Sequence, residues 1–286
     1  MKNRSIEFYL VGASALFLFP ILFYGLWLSI NDPDALHWLI QEDTFIEWLQ
    51  FFLFLCSGLF LFFYLYVMRL NNEIQTYSLR FLGTLGLGFL FLFGAMEEIS
   101  WGQRIFQIPT PEVIAEPNLQ GEITLHNMEV GGVNINKLVF GKLLFLFILS
   151  HNLIFPIWAK YKPQIRKKAE DLGLFLPPLS LVTVYAVAAI FTQVIEHSRR
   201  DEFLEYVGAI HYFIALIMTY GVGINYDKPL FKSEIAKKAF SRFSVALVLF
   251  LMLSSWIAMI AFKVSFLAYG GDPDSPPVGG LPILNE

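Results

Sequence analysis

Apolar residues run along most of this chain in blocks of about 20, separated by short polar links. A helix rising 1.5 Å per residue needs about that length to cross a hydrocarbon layer about 30 Å thick. The pattern predicts seven helical spans, at about 7–30, 44–68, 79–101, 137–159, 174–196, 203–224 and 243–269. A Gly/Pro-rich tail follows over 271–286. No succession of ten-residue alternating segments points to a barrel. The expected fold class is all-α, a polytopic transmembrane helix bundle forming one domain over 1–270. Pro20 is expected to kink the first span. Glu47, Gln50, Ser57 and Tyr64 give the second span one mildly polar stripe. Gly83, Gly86 and Gly94 fall near one stripe of the third and are expected to face a neighbouring helix. A short surface helix is expected to start at Thr110-Pro111-Glu112, an N-cap followed by a first-turn proline.

Composition agrees with the pattern. With 56% hydrophobic residues, 30 phenylalanines and only 15% charged residues, no single water-soluble core would hide the apolar side chains. The first span is too long for a signal-peptide core and is expected to be retained. Cys56 is the only cysteine, so no internal disulfide and no thiolate metal site can form. No segment carries the basic patch of a nucleic-acid binder.

The net charge of −4 says little, but its placement says more. Most of the 20 Lys and Arg fall on one side of a seven-span chain: Lys2, Arg4, Arg69, Arg80, and the basic links at 160–171 and 226–242. The positive-inside rule then puts the amino terminus inside and the carboxyl terminus outside.

That orientation gathers the unusual polar residues at the outer face. The stretch from Gly94 to Asn127 leaves the third span and supplies Glu97, Glu98, Ser100, Gln103, Arg104, Asn118, Gln120, Glu122, His126 and Asn127. The fifth and sixth spans form a tight hairpin that adds Glu196, His197, Arg199, Arg200, Glu202, Glu205 and His211. An acid at a span end is satisfied by water alone. His211, however, lies about 12 Å down its helix from Phe203, a depth at which ionisable groups face a cavity or a partner. Carboxylates and imidazoles with shifted pKa values are the usual acid–base groups. Glu97, Glu98, His126, Glu196, His197, Glu205 and His211 are therefore the candidate catalytic set. Ser100, Gln103, Arg104, Asn118, Gln120, Glu122, Asn127, Arg199 and Arg200 are candidate substrate-binding residues. Arg104, Arg199 and Arg200 either pair with the acids or clamp a phosphate or carboxylate.

His126, His197, His211, Glu98 and Glu205 also have the ligand chemistry of a divalent metal such as zinc. No H-E-x-x-H or E-x-x-H is present, so such a site would be gathered from several helices. Ser100 lacks the glycine elbow of an exposed nucleophile, and His151 reads as a packed, hydrogen-bonded core residue.

The pattern E-E-x-S-W-G-Q-R (Glu97 to Arg104), followed by N-x-Q-G-E-x-x-L-H-N (Asn118 to Asn127), resembles that of uncharacterised bacterial polytopic membrane proteins. The resemblance implies a bacterial inner membrane, with the polar face toward the periplasm or exterior. Two hydrolase groups resemble the chain more distantly. Intramembrane prenyl-protein proteases carry E-E-x-x-x-R, and here Arg104 follows the acidic pair two places too late. Ceramidase and adiponectin-receptor-like hydrolases share the span count, but no H-x-x-x-H occurs. The expected function is hydrolysis or group transfer on a lipid or lipid-linked substrate, with an anionic head group held by the arginines. The alternatives are an ion- or proton-coupled transporter or channel, and a non-catalytic scaffold docking a partner through the 102–136 loop. For the site to exist, the third, fifth and sixth spans must meet at their outer ends, with His126 folded back toward Glu98.

Overall fold

Lipid offers the backbone no hydrogen bonds, so a chain of apolar blocks folds into helices that satisfy their own N–H and C=O groups. The computed structural model describes residues 2–40, 44–106, 108–111, 123, 129–130, 133–134, 144–226, 228–232, 234, 236–242 and 245. Two units are distinguished, Met1–Lys232 and Ser233–Glu286.

The first unit opens with α1 (Lys2–Asn31), α2 (Pro33–Ile40), α3 (Phe45–Leu70) and α4 (Leu79–Glu98). A 3₁₀ turn (Ser100–Gly102) and α5 (Gln103–Phe106) follow. The two-residue strands β1 (Glu129–Val130) and β2 (Val133–Asn134) pair antiparallel. Then come α6 (Leu144–Leu149), a π-helical turn (Ser150–Ile154), α7 (Phe155–Tyr161) and α8 (Pro163–Asp171). The unit closes with α9 (Leu179–Thr192), α10 (Asp201–Leu216), a second π-helical turn (Ile217–Val222) and a 3₁₀ turn (Leu230–Lys232). In the second unit residues 236–242 are helical, and Lys237 meets Glu234 at 2.5 Å.

Four helical stretches among the described residues are long and apolar enough to cross a membrane: Arg4–Asn31, Pro33–Leu70, Leu79–Glu98 and Asp201–Val222. This is an integral membrane protein, and large apolar side chains such as Phe8, Leu16, Ile30, Phe89 and Ile190 stand exposed along its helices. The fifth expected span is regular only over Leu179–Thr192, because Pro177 and Pro178 hold the preceding residues extended. The fourth is described from Leu144 onward. The seventh span apart from residue 245, the tail and the helix expected after Thr110 lie outside the described residues. Two links expected to be irregular are helical. α2 starts at Pro33, with Asp32 Oδ1 accepting the Ala35 N–H at 3.0 Å, and α8 starts at Pro163. Both use a proline where its missing N–H costs nothing.

α4 packs along α3, α3 packs on α10, and α9 packs against α10 and α1. The second span thus packs on both the third and the sixth, and the third also touches the sixth, where Phe91 meets the Tyr212 ring with centroids 6.0 Å apart. Gly58 and Gly88 let α3 and α4 approach closely: a Cβ on Gly58 would meet the Gly88 carbonyl oxygen at 2.9 Å.

At the α4 N-terminal end, polar groups converge on the turn after α8. Arg80 Nε donates to the Glu170 carbonyl at 2.9 Å and pairs with Asp171 at 3.3 Å. The Gly173 carbonyl accepts from Thr84 Oγ1 at 3.1 Å and from Tyr220 Oη at 3.0 Å. Gly83 faces this turn, and a Cβ there would lie 1.8 Å from the Leu172 carbonyl oxygen. Gly86 has nothing within 4 Å of its Cβ position and Gly94 only ordinary contact with Phe54, so only Gly83 of the expected stripe is tightly packed.

Gly83→Ala is therefore expected to destabilise the protein by about 1–3 kcal/mol, the usual range for overpacking. Gly86→Ala, a better helix former in open space, should be neutral or slightly stabilising. Thermal unfolding in detergent checks both; equal melting temperatures for the two variants would contradict the packing at Gly83.

Candidate functional site

α4 ends in two acids, Glu97 and Glu98, although negative charge at a helix C-terminus opposes the helix dipole. The apolar pattern predicted a helix running on to Trp101, but the chain leaves it at Glu98. Three consecutive residues turn left-handed: Ser100 (φ 47°), Trp101 (φ 55°) and Gly102 (φ 76°). Ser100 and Trp101 carry a Cβ, so each costs about 1–2 kcal/mol in this conformation. Side-chain contacts hold the turn. Trp101 Nε1 donates to Glu97 Oε1 at 2.6 Å, and the indole meets Phe93 edge-on with centroids 5.7 Å apart. The Gly102 N–H donates to the Ile99 carbonyl at 2.8 Å. Glu97 and Ser100 are buried.

Antiparallel packing places this end of α4 with the N-terminal ends of α3 and α10. Glu98 lies within electrostatic range of Glu205, Glu202, Glu47 and Glu97, with Glu205 the strongest of the four. Gln50 Nε2, one turn into α3, donates to the Glu202 carbonyl at 2.9 Å and ties α3 to the first turn of α10. Glu98 and Glu202 are half-buried and Glu205 is exposed. The positive ends of two helices thus face a cluster of carboxylates, which offsets part of their mutual repulsion.

Of the candidates read from sequence, Glu97, Glu98 and Glu205 are brought together. Glu47 and Glu202, left out of that set, join them. The signal for both was available: Glu47 opens the second span at the same level, and Glu202 lies one turn before Glu205 on the same face.

Gln103 is spent on its own loop. Its Nε2 donates to Thr110 Oγ1, and its Oε1 accepts the Ile123 N–H at 2.7 Å. Glu196 and Arg200 are exposed and Arg199 is half-buried. His197 lies against His37 of α2, ring centroids 5.5 Å apart, and its Nδ1 accepts the Arg199 N–H at 3.0 Å. His211 lies ten residues into α10, 1% exposed, against Tyr185 at 4.6 Å and Tyr212 at 5.5 Å between centroids. It is not among the groups acting on Glu98. The Arg104 side chain, Asn118, Gln120, Glu122, His126 and Asn127 lie outside the described residues, as does the expected approach of His126 to Glu98. Among the described residues, no three His, Cys, Asp or Glu side chains are grouped to hold a metal ion.

No protein-family model, curated protein or solved structure matches this chain.

Partial burial, with His37 and Arg199 alongside, holds the pKa of His197 below its ordinary value of 6.5. The neutral ring is the one the fold favours. Its contribution is complete above pH 6.5 and is lost as pH falls through the lower folded value. An NMR titration should show a His197 midpoint below 6.5 that moves up in His37→Gln. A midpoint indifferent to that substitution would remove His37 as a cause.

Proposed function

We propose that the acidic end is the active site of a membrane-embedded enzyme that hydrolyses, or transfers a group from, a lipid or lipid-linked substrate. The observation that carries this reading is the pairing of half-buried Glu98 with exposed Glu205. Crowded carboxylates do not ionise alike, and two carboxyl groups held in unlike environments divide into an acid and a base. Glu205 is exposed, where a substrate arriving from lipid or water would meet it, and Glu98 is half-buried. Glu47, Glu97 and Glu202 raise the negative potential and favour one retained proton. Arg199 and Arg200, on the turn entering α10, are the cations on which an anionic head group would rest, with Arg104 as a third. The positive-inside rule favours an outward-facing acidic end, and with the resemblance to bacterial polytopic membrane proteins the proposed location is the outer face of a bacterial inner membrane.

The same carboxylates favour a second reading, a cation- or proton-coupled transporter, since a negative cluster at a bundle end attracts cations. The two readings separate on substitution. For the enzyme, Glu98→Gln or Glu205→Gln keeps the shape but removes the titrating group. Either should lower turnover of a lipid substrate by about 10²- to 10⁴-fold with folded protein still in the membrane. Proteoliposomes that carry an acid-dependent ion flux without chemical turnover would overturn the enzyme in favour of the transporter.

Sidedness has its own test. In a Cys56→Ser background, single cysteines in the 160–171 and 228–242 links should resist an impermeant thiol reagent applied outside, and cysteines in 110–125 should react. The reverse pattern would place the acids inside.

A further inference from the structure

Midway along the bundle, away from the carboxylates, lies a second polar group whose side chains have no role in the site above. His151 and Asn152 enter on the π-helical turn Ser150–Ile154, a wide turn of a kind common where a helix serves a function. His151 Nε2 contacts the Phe175 carbonyl oxygen at 2.7 Å, and its Nδ1 contacts Asn152 Oδ1 at 3.1 Å. Tyr212 brings its ring to 5.7 Å from His151 and 5.5 Å from His211.

Four polar atoms of this group are buried without a hydrogen-bond partner among the described residues: Asn152 Nδ2, both ring nitrogens of His211, and Tyr212 Oη. His211 and Asn152 are each 1% exposed. The Asn152 amide lies near the hydroxyls of both Tyr185 and Tyr212, but Tyr212 Oη makes no hydrogen bond of good geometry with it. Leaving one such atom unpaired in a nonpolar interior is costly, and four on three side chains linked through Tyr212 are more than a packed core carries. Buried polar groups left unpaired by the chain are bridged by water in many proteins.

The chemistry of the four atoms selects the occupant. Asn152 Nδ2 only donates. A neutral imidazole donates at one nitrogen and accepts at the other, and a phenol does both. The occupant must therefore accept and donate. No carboxylate or cationic side chain is among the groups recorded around His211, where only His151 acts on it electrostatically. We infer that His211, Tyr212 and Asn152 form an internal binding site for a neutral ligand that both donates and accepts hydrogen bonds, and that this ligand is water. The inference does not rest on the enzymatic reading of the acidic end.

Hydroxyl-radical footprinting with a short X-ray pulse tests it on the intact protein in detergent, because radicals made from bound water label the side chains that touch it. Tyr206 is the internal control: fully buried, its hydroxyl donated to the Phe17 carbonyl at 2.5 Å. Tyr212 and His211 should label several-fold faster than Tyr206. Tyr212→Phe, which keeps the ring, should reduce the labelling of His211 and lower the melting temperature, since a bound water loses a partner. Labelling of Tyr212 and His211 as slow as that of Tyr206 would overturn the site. So would a Tyr212→Phe variant that melts at the same temperature or higher, the behaviour of a dry core relieved of an unpaired hydroxyl. Neither result bears on Glu98 and Glu205, so this site and the proposed enzyme stand or fall separately.

Discussion

The need of every polar group in lipid to find a partner inside the bundle governs the acidic end. Glu98 closes a helix whose own dipole opposes its charge. What makes the position tenable is chain direction: α3 and α10 both begin where α4 ends. Two positive helix termini converge on an acid that its own helix repels. The same geometry gathers Glu47, Glu202 and Glu205, because acids in the first turns of α3 and α10 are locally favoured. The cluster is a product of antiparallel packing, and Gln50, bonded to the Glu202 carbonyl, holds two of its three helices in register.

The left-handed turn at Ser100–Gly102 belongs to the same arrangement. It stops α4 at the level of the neighbouring N-termini and redirects the chain before another apolar turn can form. Strain of this kind persists where the surroundings over-determine it. Here the buried Glu97 carboxylate and the Trp101 indole nitrogen satisfy each other, while the indole ring packs on Phe93. One side chain thus fixes an acid and braces an unfavourable backbone.

Much of the bundle was legible in the sequence because an apolar block of span length has few alternatives. α1, α3, α4 and α10 all fall where the blocks predicted. Depth along a helix was also legible, which is why Glu98 and Glu205, about 100 residues apart, were expected at one level and are found together. Rotation about a helix axis was harder to read. Glu205 and His211 are six residues apart, about 120° around the helix. That arithmetic separates His211 from the acids and turns it to Tyr185 and Tyr212 instead. The end of α4 was missed because hydropathy cannot register a change of backbone hand. The helices at Pro33 and Pro163 were missed because their polar content reads as a link, although an N1 proline marks each start. The extent of each contact was out of reach, since the blocks do not reveal that α3 packs along both α4 and α10.

The turn after α8 has a mechanical consequence. One carbonyl, that of Gly173, receives Thr84 from α4 and Tyr220 from the end of α10. Arg80 is tied to the same turn. Sliding α4 past α10 would break at least one of the two bonds to that oxygen, whereas a tilt about it keeps both. The joint meets α4 at Thr84 and Glu98 lies 14 residues further on, a lever of about 20 Å. A tilt of about 6° would carry the Glu98 carboxylate by roughly 2 Å on that lever. The end that is pinned thus sets the aperture of the end that is not.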